Sequence, residues 1–377
     1  AEGTAADDTF GRSVDILDDV NGDGKPDIVV GAAKFGTLPL LKGDYVSVSS
    51  GANGALLWKV LGENPQFPVS QCGSYFKNDH FGQAVSSVPD ADFDGIDDVV
   101  VGAPGYHYCS FTGKIYLFSG TTGNLIWSKE GDNINDKLGW AVKGIKDLNG
   151  DGAGDIIAST DKANYVKAYS GADGSLIWTL YAEPQGGFFG YDISPVQDLN
   201  GDGVQEVIVG DIFFNGSGGP SSGKIYVYSG AEGSLIWSDE GESASDSFGF
   251  SVSSIADVNK DGFSDIEASA YAYDGTSAYI GKLYVYSSIQ QNPGNPVFLW
   301  SKTGTQPYEF FGWDVRGLTD GNNDRIGDVI VGVPNYDGVA GADSGRAHIF
   351  SGSSGQLIWQ KEGENFNDFF GHAVTGD

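Results

Sequence analysis

The stretch DVNGDGKPD, residues 19 to 27, sets three aspartates and one asparagine within nine positions, and an apolar run follows at once. Carboxylates this close repel one another unless something neutralises them. Asp19, Asn21 and Asp23 alternate, Gly24 follows, and Asp27 closes the loop. Alternate side chains on a tightly turned loop converge on one point, and glycine supplies the left-handed backbone that such a turn needs. Several carboxylates on a flexible loop are hard oxygen donors. They select Ca²⁺ over Zn²⁺, which would want His or Cys. The logic is that of an EF-hand loop, but the last acid stands at position nine instead of twelve, and a strand pattern follows where an EF-hand has a helix.

Nearly the same phrase returns as DADFDGIDD at 90, DLNGDGAGD at 147, DLNGDGVQE at 198, DVNKDGFSD at 257 and DGNNDRIGD at 320. A single copy would pass for an Asp/Asn/Gly turn; six copies in one register do not. Each leading Asp follows an aromatic-glycine pair by nine residues: Phe10-Gly11, Phe81-Gly82, Phe189-Gly190, Phe248-Gly249 and Phe311-Gly312, with Leu138-Gly139 as a variant. A seventh pair, Phe370-Gly371, lies near the end. A third landmark is a strand, turn and Trp phrase such as KIYLFSGTTGNLIW, whose tryptophans are Trp58, Trp127, Trp178, Trp237, Trp300 and Trp359. The period is about 60 residues, within the range where repeat architectures must be considered first.

Each period reads as four short strands, the first set being FGRSVDIL, PDIVVGA, DYVSVSSG and ALLWKV, with Gly, Asn, Asp and Ser between them. No useful length of helical periodicity occurs. The expected fold is all-β, a β-propeller of six complete four-stranded repeats beginning near residues 10, 81, 138, 189, 248 and 311. A partial seventh repeat from 370 would add one surplus strand, FGHAV, free to pair with an edge of its own molecule or of a neighbour; seven-bladed closure is the alternative. The whole chain, 1–377, is then a single domain. The six repeated tryptophans are expected to pack between blades, and Trp140 and Trp313 to be core as well.

These residues make the chain resemble the FG-GAP repeat family, the calcium-binding β-propellers similar to the head of integrin α subunits. The second half of that motif appears as Gly102-Ala103-Pro104, and in weaker form as Gly31-Ala32-Ala33 and Gly332-Val333-Pro334; Ser159 and Ser269 replace its glycine in repeats three and five. The resemblance implies calcium loops between the first and second strands of each blade. Carried over by position, it implies Asp90, Asp92, Asp94 and Asp98 at site two, and Asp147, Asn149, Asp151 and Asp155 at site three. Site four would be Asp198, Asn200, Asp202 and Glu206; site five, Asp257, Asn259, Asp261 and Asp265; site six, Asp320, Asn322, Asp324 and Asp328. Arg325 stands where the other loops have Gly, so site six is expected to be weakest, and the chain to take five or six Ca²⁺ ions.

The rest of the sequence narrows the function. A formal net charge of −30 argues against nucleic acid or an anionic membrane surface as partner. No apolar run approaches the roughly 18 residues of a membrane span. The opening AEGTAADD and the lack of any Met point to a processed or excised product. In an antiparallel meander the acidic loops share one face with the third-to-fourth turns. The longest and most varied loops, which include ENPQFPVSQCGSYFKND, APGYHYCSFTG and DIFFNGSGGPSSG, lie on the other face. Binding usually resides in such loops, whose aromatics include Tyr75, Phe76, Tyr106, Tyr108, Phe213 and Phe214. Cys72 and Cys109 fall in loops of neighbouring blades, where a disulfide, and hence an oxidising compartment, is expected; two free buried thiols are the other reading. Asn215-Gly216-Ser217 is a glycosylation acceptor.

No catalytic constellation emerges. Gly219-Pro220-Ser221-Ser222-Gly223 matches the hydrolase G-x-S-x-G pattern but sits between strands. His80, His107, His348 and His372 have no metal-ligand spacing. The expectation is a non-enzymatic binding or adhesion module, extracellular or at the cell surface, that engages a protein or glycan. The alternatives are a structural subunit of a surface assembly, and the targeting domain of a larger secreted enzyme.

Overall fold

The computed structural model describes residues 9–33, 44–63, 79–106, 110–161, 164–275, 278–288 and 297–376. Among them there is no helix, hence none long and apolar enough to cross a membrane. Instead 24 strands form six four-stranded antiparallel sheets, each paired in sequence order, the blades of the expected β-propeller.

The chain divides into two compact units. The first, Ala1–Tyr181, holds three blades. They are β1 (Ser13–Leu17), β2 (Asp27–Ala32), β3 (Tyr45–Ser49) and β4 (Leu56–Leu61); β5 (Ala84–Val88), β6 (Asp98–Ala103), β7 (Lys114–Phe118) and β8 (Leu125–Glu130); and β9 (Val142–Ile145), β10 (Asp155–Ser159), β11 (Tyr165–Tyr169) and β12 (Leu176–Tyr181). The second, Ala182–Asp377, holds the other three. These are β13 (Phe189–Val196), β14 (Glu206–Asp211), β15 (Lys224–Tyr228) and β16 (Leu235–Glu240); β17 (Phe248–Ile255), β18 (Asp265–Ala270), β19 (Lys282–Ser287) and β20 (Val297–Thr303); and β21 (Val315–Leu318), β22 (Asp328–Val333), β23 (Arg346–Ser351) and β24 (Leu357–Glu362).

Most second and third strands are buried on both faces, which is why they read as near-continuous apolar runs such as DVVVGA and KIYLF; β23 of the last blade is only half-buried. The repeated landmarks join blades within a unit. The Phe of the aromatic-glycine pair is core: Phe81, Phe189, Phe248 and Phe311 are at most 3% exposed, and Leu138 fills the same place. The following glycine carbonyl presses on the preceding blade. A Cβ at Gly102 would stand 2.2 Å from the Gly139 carbonyl oxygen, and one at Gly31 the same distance from that of Gly82. Both halves of the motif are therefore one contact. Where serine replaces the glycine, its hydroxyl gains a bond inside the blade: Ser159 Oγ accepts the Ala141 N–H and Ser269 Oγ that of Ser251, both at 3.1 Å.

The tryptophans bridge neighbouring blades. Trp58 and Trp127 donate from Nε1 to the carbonyls of Gly120 and Gly171 at 2.6 Å, and Trp300 to Gly352 at 2.7 Å. Each ring also lies against a turn glycine of the next blade, Gly123, Gly174 or Gly355. Trp359 differs from the expectation: on the last blade it is 45% exposed. Trp140 and Trp313 are half-buried instead of core.

The surplus strand expected at FGHAV is not a ladder strand. Phe370 makes an isolated parallel bridge to Gly345, the Gly371 carbonyl lies against Gly332, and the Val374 N–H donates to Asp314 at 2.8 Å. The segment repeats the contact that Gly82, Gly139 and Gly249 make with Gly31, Gly102 and Gly210, so it docks on its own last blade. Cys72, Cys109, His107, Tyr75, Phe76 and Tyr108 lie outside the described residues.

Candidate metal centre

All six acidic phrases fall in the loop between the first and second strands of a blade, as the sequence implies. The closing acid begins the second strand and is fully buried: Asp27, Asp98, Asp155, Glu206, Asp265 and Asp328. In five loops both of its oxygens accept backbone N–H groups. Asp98 takes Ala91 N–H at 2.8 Å on one oxygen and Gly120 N–H at 3.0 Å on the other. Asp155 does the same with Leu148 and Gly171, and Asp265 with Val258 and Ser288. The closing acid thus staples the acidic loop to the turn between the third and fourth strands. It is a strut of the loop. Burial pushes these carboxyls up: Asp98 and Glu206 to about 7, Asp155 and Asp265 to about 6.

The leading acid organises the loop from its other end by accepting the N–H of the sixth residue, as Asp90 does from Gly95 at 3.0 Å and Asp257 from Gly262 at 2.7 Å. That sixth residue is left-handed everywhere, with φ of 83° at Gly24, 87° at Gly95, 90° at Gly152, 89° at Gly203 and 97° at Gly262. Arg325 is forced into the same conformation at φ 67°. The fourth position is left-handed too, and there Phe93, Lys260 and Asn323 hold φ of 64–66° without glycine. Sequence reasoning missed that second slot.

It also missed a hydroxyl. The fifth-position Asp accepts from a Ser or Thr of the facing turn: Ser50 to Asp23, Ser170 to Asp151 and Ser287 to Asp261 at 2.8 Å, and Thr121 to Asp94 at 2.9 Å. The matching pairs Ser229–Asp202 and Ser353–Asp324 are longer, 3.4 and 3.2 Å. The signal was present in the Ser and Thr residues of the turn phrases, but nothing in one sequence shows which loop such a hydroxyl faces.

Among the described residues, two loops bring three carboxylates together with oxygens within 4.8 Å of one another: Asp90, Asp92 and Asp94, and Asp198, Asp202 and Glu206. Asp90 Oδ1 and Glu206 Oε2 are buried and have no hydrogen-bond partner. Burial and the neighbouring Asp94 push the Asp92 carboxyl up. Orphaned oxygens in an oxygen-only donor set fit a hard divalent cation. The asparagines of the remaining loops, Asn21, Asn149, Asn259 and Asn322, lower the local charge; Asn21 Nδ2 turns to Asp27 at 3.0 Å and Asn149 Nδ2 to Asp151 at 2.8 Å.

On the opposite ends of the blades in the second unit, aromatic rings run on continuously. Phe213 meets Phe188 at 6.3 Å, Phe188 meets Tyr191 at 5.0 Å, and Tyr191 meets Phe250 at 4.7 Å. Phe250 lies 4.0 Å from Tyr271 and 4.9 Å from Trp313, and Phe310 links these to Tyr279 and Tyr308. Phe213, Tyr279 and Tyr308 are exposed, whereas Phe214 and Tyr106 are buried. Asn215 is exposed, and its Oδ1 accepts the Ser221 N–H at 3.0 Å. The G-x-S-x-G match is a turn between β14 and β15 whose central Ser221 is half-buried and left-handed at φ 52°.

Comparison with known proteins finds the FG-GAP repeat at residues 10–49 and 81–118. Integrin alpha-6 of Gallus gallus is 34% identical over 155 residues, covering 38% of this chain and 13% of that protein. Integrin alpha-8 of Mus musculus is 27% identical over 277 residues, 64% of this chain and 25% of that protein. A phosphatidylinositol-glycan-specific phospholipase D of Dictyostelium discoideum is 26% identical over 246 residues, 57% of this chain and 25% of that protein. The matched region spans a quarter or less of each of these relatives.

Proposed function

This chain belongs with the FG-GAP repeat β-propellers, and on that premise we propose that it is an extracellular, calcium-stabilised binding module that engages a protein or glycan through its loop-rich face. The observation that carries the reading is the aromatic stripe. Exposed and half-exposed rings cost solvation unless something covers them, and aromatic faces stack on sugars and anchor protein partners. The stripe lies on the ends of the blades away from the acidic loops, so ligand and metal would occupy different ends of the same scaffold. Relatives named as integrin alpha subunits support an adhesive role at the cell surface.

Calcium would sit in the acidic loops, held by Asp90, Asp92 and Asp94 with Asp98, by Asp198, Asp202 and Glu206 with Asn200, and by the corresponding residues of the other four. There the ion would supply positive charge and rigidity to the loops. The chain's own residues set the geometry: leading acids wind the turn, closing acids tie it to the neighbouring turn.

A second reading, the targeting domain of a larger enzyme, is favoured by the phospholipase-named relative. Arrays of glycans and extracellular proteins, probed in about 1 mM calcium with native chain and with a Phe213→Ala, Tyr279→Ala, Tyr308→Ala variant, test the leading reading. A ligand bound by the native chain and lost by the variant supports it. A ligand bound equally by both, or none at all, removes it.

A further inference from the structure

Between β16 and the following blade lies a cavity of about 250 Å³ whose walls are Phe248, Tyr284, Tyr286 and Phe298, with Asp239, Glu240 and Glu242 along its acidic side. The equivalent groove between the first two blades is filled. There Val60 packs on a cluster containing Phe81, Tyr116 and Phe118, the counterparts of Phe248, Tyr284 and Tyr286. Across the fourth strands this position reads Val60, Lys129, Leu180, Asp239, Lys302 and Lys361. Only the fourth blade places an acid there.

The cavity is polar in a directed way. Tyr284 is 3% exposed, and its hydroxyl, like those of its counterparts Tyr116 and Tyr226, has no hydrogen-bond partner. Asp239 accepts the Glu240 N–H at 3.0 Å and is steadied by the Tyr286 hydroxyl, but makes no ion pair among the described residues. Lys282 is committed to both oxygens of Glu242 at 2.9 Å, and its Nζ lies 4.4 Å from the centroid of the Tyr284 ring. Lys224 lies between Glu183 at 2.8 Å and Glu240 at 3.9 Å. Burial pushes the Asp239 carboxyl up, as it does for an acid lacking its counter-ion.

We propose that this cavity is a binding site for a small organic ammonium ion, with Asp239 as its counter-ion, the Tyr284 hydroxyl as hydrogen-bond acceptor and the rings of Phe248, Tyr286 and Phe298 as its cation–π surface. Aromatic faces attract cations, and more strongly where water is excluded. A neutral ligand would leave Asp239 charged and uncompensated among rings. A metal ion is disfavoured by geometry, because these carboxylate oxygens do not gather within 4.8 Å as those of the second and fourth acidic loops do. The volume suits an alkylammonium or the end of a lysine side chain.

Calorimetric and NMR titration of the full chain with n-butylammonium, in excess calcium, tests this directly. Saturable one-to-one binding with a Kd on the order of 1 mM or tighter is expected for so small a ligand. Asp239→Asn should weaken it by about tenfold or more, and Asp239→Val, which restores the filled groove of the first blade pair, should abolish it. Circular dichroism of both variants would report whether the fold is kept; a Tyr284→Phe variant with severalfold weaker binding supplies the second line of evidence. The proposal is overturned by the absence of saturable binding, by an Asp239→Asn variant that binds as the native chain does, by n-butanol binding as tightly as the amine, or by calcium displacing it. None of these outcomes depends on the aromatic stripe or on the occupancy of the acidic loops.

Discussion

Two side chains stand where their siblings in the other blades are something else, and each has a measurable consequence. His348 occupies the third-strand position of Tyr116, Tyr226 and Tyr284. It stacks on Phe350 at 5.4 Å and meets Phe311 edge-on, so burial, aided by Arg346 and opposed by Glu362, lowers its pKa from 6.5 to about 4. The folded chain thus prefers the neutral ring. As pH falls from about 6.5 to about 4 the unfolded chain takes up a proton that the folded one refuses, and stability is lost across that window. The ring is only part-buried, so the loss is about 1–2 kcal/mol. Denaturant curves at several pH values should show a shallower acid-side decline for His348→Tyr than for the native chain; parallel declines would refute the assignment. Arg325 is the other exception. Its φ of 67° in a slot filled elsewhere by glycine costs about 1 kcal/mol. Arg325→Gly should raise stability by that amount even in chelator, and in calcium should add up to one bound ion by equilibrium dialysis. An unchanged melting curve in chelator would show that the loop carries no such strain.

At the scale of strands and turns, the contact that repeats is a glycine against a carbonyl, and it is unforgiving. Gly102 approaches the next blade so closely that a methyl group would lie 2.2 Å from the Gly139 oxygen, which is backbone and has nowhere to move. Gly102→Ala should therefore cost about 2–4 kcal/mol, seen as a lower denaturant midpoint. A cost within experimental error would mean that neighbouring blades slide more freely than their packing suggests. The aromatic-glycine pairs, the strand pattern and the acidic loops were legible in the sequence because each is a local phrase with a fixed period. Less legible was whatever depends on which phrases meet. The Ser50–Asp23 class of bond joins residues far apart in the chain. The left-handed slot at Phe93 and Lys260 hides because tertiary stapling by the leading and closing acids overrides residue preference. The surplus strand was misread for a similar reason: FGHAV has strand composition, but its glycine is consumed by the contact with Gly332.

For the molecule as a whole, the charge decides how the acidic loops must be read. The chain carries 51 acidic residues against 21 Lys and Arg, and its formal net charge is −30. Six divalent ions would offset twelve of those charges at the points where carboxylates crowd most. Extracellular calcium modules bind at about 10⁻⁴–10⁻³ M. At roughly 1 mM free calcium each site would add about 0.4–1.4 kcal/mol by mass action, and five or six sites about 2–8 kcal/mol. That is comparable with the stability of an entire domain. Excess chelator should therefore lower the melting temperature by many degrees. Two mechanisms could do so, and salt separates them. Relief of general repulsion is recovered by raising NaCl, because exposed charges are screened beyond about 8–10 Å at 0.10–0.15 M salt. Ligation by converging oxygens, as at Asp90, Asp92 and Asp94, is recovered only by a divalent ion of the right size. The expected result is that calcium restores the native melting temperature, magnesium restores part of it, and NaCl restores little. A melting curve indifferent to chelator, or one that NaCl restores as fully as calcium, would leave the six loops as turns and the proposed metal centres without support.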